Sequence, residues 1–193
     1  MAITQFYIRV LIGIFIFFIP LVGITAVPAW QIIAKESSLT FTGIMNDAPT
    51  SGEFRKFDGE IYFDPAKLNE SHVRIIVDAG SVKTSYVDIA ETLKTPEWFN
   101  VKLFPQAIFQ AKKITKTGEK AYQAEGTLTI RDKTLPVIVR FTEETSANNK
   151  VRVKGAAKLK RTLFGVGQGE WGSTDDVKDE VTVNFTITAV KKG

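Results

Sequence analysis

Apolar and polar residues alternate with a period of two along most of the chain, and no other feature of the sequence constrains the fold as strongly. In the clearest segment, 181–189, Val, Val, Phe, Ile and Ala at the odd positions are separated by three threonines and an asparagine. Side chains with this period fall on opposite faces of a β-strand. The sequence therefore predicts antiparallel strands with one buried face and one wet face.

About eight or nine such strands are predicted in an all-β chain. Short polar breaks such as Thr117-Gly-Glu and Arg131-Asp-Lys join neighbouring segments, which indicates up-and-down connections. A β-sandwich filled by side chains and a barrel with an open middle both fit this pattern. The other predicted strands are 30–35, 38–43, 55–63, 73–79, 107–113, 122–131, 135–142 and 151–160.

Two segments depart from the alternation. Residues 86–95 place Tyr86, Ile89, Ala90 and Leu93 on one helical face, which predicts a single short helix capped by Ser85 and stopped by Pro96. Residues 160–179 contain four glycines and are too long for a simple turn, so we expect a lid or rim loop there.

The first 29 residues differ from the rest of the chain. Arg9 is their one charged side chain, and a long apolar run follows it and ends in Val27-Pro-Ala29. This order is typical of a cleavable signal peptide, so we predict cleavage after Ala29, with Ala26 as second choice, and export to the periplasm. An uncleaved membrane anchor is the alternative. Residues 30–193 are then predicted to form one domain.

Small residues on the predicted inward faces bear on whether the interior is open. Gly126 and Gly155 lie at mid-strand among larger apolar neighbours. Small side chains there leave volume, and an eight-stranded barrel is about wide enough to hold one small ligand. In the alternative interpretation these glycines only mark bulges or bends that curve the sheet.

Composition excludes several function classes. The chain has no cysteine and a net charge of +4 that is spread along the sequence, which argues against disulfides, thiolate chemistry and nucleic-acid binding. His72 is the single histidine, and no nucleophile motif surrounds the serines, so we expect no catalytic residues. The acidic residues at 175–180 lack calcium-loop spacing, and we expect no metal site.

Four ordered blocks, at 52–65, 77–84, 96–109 and 126–137, resemble the YceI-like polyisoprenoid-binding family. They read GEFRKFDGEIYFDP, VDAGSVKT, PEWFNVKLFPQAIF and GTLTIRDKTLPV. The resemblance covers essentially all of 30–193. It implies a closed, antiparallel, lipocalin-like β-barrel, periplasmic or secreted, that holds an isoprenoid in an apolar cavity without a cofactor or catalytic residues.

The chain departs from the family pattern at three places. Thr92 stands where the family often has a histidine, Asp132 stands where a glycine is common, and Leu135 precedes the proline. Residues 163–171 resemble the shorter branch of the family, close to domains found beside membrane di-haem cytochromes. A polyprenyl phosphate, a quinone or another long amphiphile would each suit such a chamber, and a membrane redox protein is a candidate partner.

We therefore predict an apolar ligand site, with Trp98-Phe99 and Trp171 closing the two ends of the barrel. Arg55, Arg131 and Arg161 are the candidate partners of a charged head group. The alternative is an interaction module of the cell envelope with a packed core, and the oligomeric state, a homodimer included, stays open. The predicted cavity residues are Phe41, Phe57, Ile61, Phe63, Ile75, Val77, Leu93, Trp98, Phe109, Gly126, Leu128, Val139, Phe141, Val153, Gly155 and Phe185.

Overall fold

A computed structural model describes residues 26–147 and 149–192, apart from the side chain at 146. Most of the predicted signal peptide lies outside the described residues, so its cleavage stays a prediction. The strands are β1 (Ala29–Ile32), β2 (Ser38–Met45), β3 (Ala48–Phe54), β4 (Phe57–Tyr62), β5 (His72–Asp78), β6 (Val82–Thr84), β7 (Gln106–Lys116), β8 (Ala121–Ile130), β9 (Lys133–Ala147), β10 (Lys150–Lys160) and β11 (Glu180–Lys191).

Eight strands close into an antiparallel barrel. They follow the order β1, β4, β5, β7, β8, β9, β10, β11, and β11 pairs again with β1 to complete the ring. Closure leaves the long strands without free edges, since each strand of the ring has a hydrogen-bonded neighbour on both sides. The predicted all-β barrel of about eight strands is confirmed.

The remaining strands, β2, β3 and β6, extend the sheet from β11. Residues 182–186 of β11 pair with β2, whereas residues 189–191 pair with β1, so these two strands share one edge of β11. β3 then pairs with β2, and β6 pairs with β3. The barrel thus has two different ends: a β1 end, where β1 seals the ring, and a helix end, where these three strands are added.

Strands β3 and β6 were not predicted, and the predicted strand at 55–63 is shorter, starting at Phe57 in β4. β3 contains Pro49 and Gly52, which lower its strand propensity. The sequence signal for β3 lies in the turn before it. Asn46 and Asp47 both adopt positive φ there, as a tight two-residue hairpin requires.

The short helix is confirmed as α1 (Val87–Thr92), but its predicted limits were wrong. Tyr86, not Ser85, occupies the N-cap position and makes no side-chain cap bond, and the helix ends before Pro96. Ala90 and Leu93 are buried as expected, whereas the Tyr86 side chain is 70% exposed. Among the described residues no helix has the length and apolarity needed to cross a bilayer.

Candidate functional site

The inward faces of the strands surround a cavity of about 520 Å³, within the roughly 300–1,000 Å³ usual for ligand pockets. Its wall is almost wholly apolar, and its few polar residues include Thr50, Asp88, Thr92 and Gln106. The structure places fourteen of the predicted cavity residues in this wall, although their contact with a ligand stays a prediction. They are Phe41, Phe57, Ile61, Phe63, Ile75, Val77, Leu93, Trp98, Phe109, Leu128, Val139, Phe141, Val153 and Phe185.

Gly126 and Gly155 are not in the cavity wall, so the argument that they create volume was wrong. A Cβ on Gly126 would overlap the carbonyl oxygen of Gln110 and lie 2.9 Å from the Cβ of Ala111. A Cβ on Gly155 would overlap the carbonyl oxygen of Arg140 and the ring of Phe185. These glycines permit close approach of neighbouring strands.

Aromatic rings fill the β1 end of the cavity. The Trp30 indole N–H donates to the backbone carbonyl oxygen of Phe63 at 2.9 Å, which fixes the indole. The Phe63 ring makes an edge contact with Tyr122, with centroids 5.2 Å apart, and Tyr122 stacks on Phe141 at 5.3 Å. Burial, followed by the nearby charge of Glu143, raises the pKa of the Tyr122 hydroxyl.

At the helix end loops add to the wall that the strands build. Trp98 and Trp171 pack with their ring centroids 5.7 Å apart, beside Phe164 and Val166. Backbone N–H groups of Gly167 and Gln168 both donate to the carbonyl oxygen of Glu97, which joins the glycine-rich loop to the segment after α1. The expectation that Trp98 and Trp171 close opposite ends was therefore wrong, because both lie at the helix end.

Arg161 holds the glycine-rich loop in place. Its side chain lines the cavity wall, yet the residue is only 4% exposed. All five guanidinium N–H donors are used on backbone carbonyls. Burial lowers the pKa of this guanidinium, and the nearby Asp179 carboxylate opposes that effect. The five acceptors are the carbonyl oxygens of Val166, Gly167, Ser173, Val177 and Lys178, at 2.7–3.3 Å.

Gly167 shows why this loop needs glycine. Its φ of 79° lies in the left-handed region, and a Cβ at this position would overlap Nη1 of Arg161. Only a residue without a side chain lets the backbone turn and the guanidinium approach together. The loop predicted as a lid or rim is thus a rim that a buried arginine holds against the barrel.

Arg131 also lies in the wall, at the turn between β8 and β9. Its Nη1 donates to the carbonyl oxygens of Pro96, at 2.7 Å, and Trp98. Its guanidinium lies 5.7 Å from the centroid of the Phe104 ring. Nε of Arg131 is buried and finds no acceptor among the described residues, and the same holds for Nε1 of Trp98.

Arg55, the third predicted head-group cation, is not brought to the cavity. Its side chain is 58% exposed and pairs with Glu53 at 2.9 Å. It borders a separate shallow groove on the outer surface with Lys83 and Lys94. Arg55 therefore cannot contact a ligand inside the barrel, and two of the three predicted cations remain in the wall.

The described residues hold no group of three or more His, Cys, Asp or Glu side chains placed to bind a metal ion. His72 lies on the outside of the barrel, stacked on Tyr62 with centroids 4.5 Å apart. Asp179 of the acidic segment accepts hydrogen bonds from the backbone and hydroxyl of Thr162. These groups have structural partners and do not converge on the cavity.

This barrel, with an apolar interior and a short helix over one end, can be compared with known proteins. The profile of the YceI-like domain matches residues 30–189. The chain belongs to the YceI-like family. The resemblance noted in the four sequence blocks is thereby confirmed. The family match covers every strand of the barrel apart from Ala29 at the start of β1 and residues 190–191 at the end of β11.

Individual YceI-like relatives agree with this assignment. The chain is similar to a UPF0312 protein of Azotobacter vinelandii, with 29% identity over 120 residues that cover 60% of this chain. The match spans 62% of that relative's length. Among solved structures the chain is similar to BcnA of Burkholderia cenocepacia, with 30% identity, a TM-score of 0.79, and coverage of 82% of this chain and 99% of BcnA.

A solved polyisoprenoid binding domain from Saccharophagus degradans, implicated in plant cell wall breakdown, has the same fold. Its TM-score is 0.68 over 86% of this chain and 99% of that domain, at 12% identity. At this identity the likeness shows the YceI-like fold alone.

Several wall residues of this YceI-like chain were not predicted. Val181, Val183 and Ile187 share the inward face of β11 with Phe185, so the alternation itself could have found them. Phe104 comes from an irregular segment, where no periodicity indicates which way a side chain points. Phe99 and Trp171 were named only as closing residues, although both line the cavity.

Proposed function

We propose that this protein is an exported, non-enzymatic carrier that takes a long isoprenoid out of water by enclosing its tail inside the barrel. The observation that carries the proposal is the continuous apolar cavity of about 520 Å³, to which the strands of the closed ring contribute. Burial of apolar area is worth about 25 cal/mol per Å². Enclosing even part of a prenyl chain therefore offsets the entropy lost on association.

The apolar wall is the chemistry that a hydrocarbon tail requires. Few polar atoms line it, so a ligand with several charged or hydroxyl groups would leave those groups unpaired inside the barrel. The polyisoprenoid binding domain from Saccharophagus degradans, which shares the fold, supports the same ligand class. An interaction module with a packed core, the alternative from the sequence, fits an open cavity less well.

Export fits the predicted signal peptide. Hydrogen bonds at the start of the barrel indicate where that peptide is cleaved. The backbone N–H of Phe63 donates to the carbonyl oxygen of Pro28, and that of Lys192 donates to Ala29. Cleavage after Ala26 keeps both acceptors, whereas cleavage after Ala29 removes both. We therefore favour the second-choice site, and the N-terminal residue of the purified protein tests it.

The proposal is tested by expressing the whole chain in a bacterium, isolating the periplasmic fraction, and applying native mass spectrometry and organic extraction. The expected result is a co-purifying mass that extracts as a prenyl lipid. A protein that is bare, and stays bare after incubation with prenyl lipids, would overturn the carrier and leave the interaction module.

Two neighbouring alanines give a matched pair of variants for this experiment. Ala157 lines the cavity, whereas Ala156 on the same strand does not. Ala157→Phe is expected to lower lipid occupancy by occupying cavity volume, and Ala156→Phe is expected to leave it near the wild-type level. Circular dichroism checks that both variants keep the all-β spectrum.

A further inference from the structure

A row of cations runs along the outside of the barrel on strand β10. Val151, Val153, Ala157 and Leu159 line the cavity, so the residues between and beside them point away from it. Alternate residues of a strand lie about 6.8 Å apart, so the row extends over about 34 Å. These outward positions are exposed except for Ala156, which is half-buried. They are Lys150, Arg152, Lys154, Ala156, Lys158 and Lys160.

On the β11 side this row is bordered by uncharged polar residues. Thr186, Asn184 and Thr182 stand opposite positions 154, 156 and 158, and Thr40 and Thr42 of the next strand, β2, lie beside them. Hydroxyl and amide side chains donate and accept hydrogen bonds without carrying a charge. The middle of the row is therefore not neutralised from this side.

On the β9 side Arg140 fills the gap that Ala156 leaves. Val139 and Phe141 line the cavity, so Arg140 points outward, and it stands directly opposite Ala156. Arg140 and Lys154 are exposed, and neither makes an ion pair with a carboxylate in the part of the chain that the structure describes. We call the row together with Arg140 the β10 face.

The carboxylates that pair with the β10 face lie towards its two ends. Three exposed ion pairs have N–O distances of 2.7–3.2 Å, and the charge of Lys160 acts on Asp179. Exposed pairs of this kind are weak, because water and salt screen them. Six cations face these four carboxylates, so the face keeps an excess of positive charge at its middle. The pairs are Glu36 with Lys150, Glu144 with Arg152, and Glu180 with Lys158.

The opposite side of the barrel has a different charge. Strand β5 lies four strands from β10 in either direction around the closed ring. There Asp58 and Glu60 of β4 point outward, across from Ile76 and Arg74 of β5. The excess positive charge is thus concentrated on one side of the barrel, which orients that side towards an anionic partner.

The composition of the β10 face indicates the kind of anionic partner. Protein interfaces have an apolar core, and helices that lie on bilayers insert apolar side chains. The row itself has only cations and one alanine, and the exposed Ile138 of β9 lies beyond Arg140, opposite Glu125. A line of cations beside hydrogen-bonding side chains suits a linear polymer with repeated anionic and hydroxyl groups.

We propose that the β10 face binds a linear acidic polysaccharide. Its carboxylates lie along the cations of the row, and its hydroxyl groups hydrogen-bond to the threonine and asparagine side chains of β11. This binding function goes beyond the carrier role. Because the β10 face is on the outside of the barrel, the polymer binds whether or not the cavity holds a lipid.

The test measures binding of polygalacturonate oligomers to the full chain. We expect the affinity to fall about tenfold or more between about 50 and 200 mM salt, because binding releases counterions from a linear polyanion. A neutral galactan and vesicles of phosphatidylcholine with phosphatidylglycerol are the comparison probes, and we expect both to bind at least about tenfold more weakly. Failure of polygalacturonate to bind at the lower salt concentration would overturn the proposal, and tighter binding of the vesicles would replace the polysaccharide by a membrane surface.

Two charge reversals separate the β10 face from the net charge of the protein. Lys154→Glu and Lys112→Glu change the net charge equally at exposed strand positions, but Lys112 lies on β7. We expect Lys154→Glu to lower the affinity for polygalacturonate about fivefold or more and Lys112→Glu to change it less than about twofold. Equal losses in the two variants would overturn the β10 face as the binding site.

A measurement on the wild-type protein keeps the proposal testable without any variant. Lysines are modified with an amine-reactive reagent, with and without polygalacturonate, and the modified sites are identified by mass spectrometry. We expect the polymer to protect Lys154 and Lys158 and to leave Lys112 and Lys116 reactive. Uniform protection of all four lysines, or protection of the β7 pair alone, would contradict the assignment.

Discussion

The two ends of the barrel are closed by similar aromatic residues and held by different forces. At the β1 end Trp30, Phe63, Tyr122 and Phe141 pack ring against ring, and the one indole N–H is paired. At the helix end Trp98 and Trp171 lie beside a buried arginine whose five donors hold a loop. Apolar packing closes the β1 end, and at the helix end a buried polar network is added to apolar packing.

The comparison shows how the two ends of one cavity can differ in polarity. At the β1 end Trp30, Tyr122 and Phe141 lie in β1, β8 and β9, and Phe63 directly follows β4, so the positions of these rings follow from sheet register. Loops complete the wall at the helix end, and their backbone carbonyls need partners that a strand ladder would have supplied. Arg161 satisfies them, and the donors left over at Trp98 and Arg131 give this end its polarity.

The largest expected effect comes from removing the centre of the polar network. Arg161→Met removes a buried guanidinium and leaves five backbone carbonyl oxygens without their donor, and we expect the free energy of unfolding to fall by about 3 kcal/mol or more. Urea denaturation of the whole chain measures it. Arg55→Met is the control, since an exposed ion pair contributes less than about 0.5–1 kcal/mol. A small loss for Arg161→Met would show that packing alone closes this end.

A second variant separates loop geometry from charge. Gly167→Ala forces a side chain into a φ of 79° and against the Arg161 guanidinium. We expect it to lower the free energy of unfolding by about 2 kcal/mol. Gly172→Ala is the matched control, because nothing lies within 4 Å of the added methyl group and its φ is not positive. Equal effects of the two substitutions would contradict the proposed fit between Gly167 and Arg161.

Acid should act on the helix end through Asp179. Burial raises the pKa of this carboxyl, but hydrogen bonds from the Thr162 backbone and hydroxyl and the charges of Lys160 and Arg161 outweigh it, so its pKa is lowered from 3.8. The stabilisation is present above that ordinary value and is lost as pH falls through the lower folded value. Asp179→Asn should cost about 1 kcal/mol at neutral pH, a difference that disappears in acid.

The measurement is the free energy of unfolding of wild type and Asp179→Asn across the acid range. A difference that stays constant below pH 3.8 would show that the carboxylate charge does not contribute, and that the lost hydrogen-bond geometry explains the whole effect.

Alkali should act on the β1 end through Tyr122, and this is the smallest effect. Its pKa is raised from 10.0, so its contribution is complete below that pH and is lost as pH rises through the higher folded value. Tyr122→Phe cannot ionise and should therefore lose less stability than wild type above pH 10. Thermal unfolding in alkaline buffers compares the two. Identical alkaline profiles would show that the Tyr122 hydroxyl is not buried when the protein is folded.

Local pattern determined the strand-built part of this protein. Side chains two apart share a face of a strand, so alternation predicted the barrel and placed Phe109, Val139, Phe141 and Phe185 on its inner wall. Residues in irregular segments carry no such period, so Phe104 was missed and Phe99 was named only as a closing residue.

Only the tertiary structure decided how the two ends differ. A glycine within a strand has the same letter whether it opens volume or admits a neighbouring strand, and contact with Arg140 and Phe185 decided the second for Gly155. Arg55 and Arg161 were equivalent candidates in the sequence, yet one pairs on the surface and the other is buried among carbonyls. The acceptors of Arg161 lie 5–17 residues further along the chain, in an irregular loop whose course no local pattern predicts, so they surround the guanidinium only in the tertiary structure.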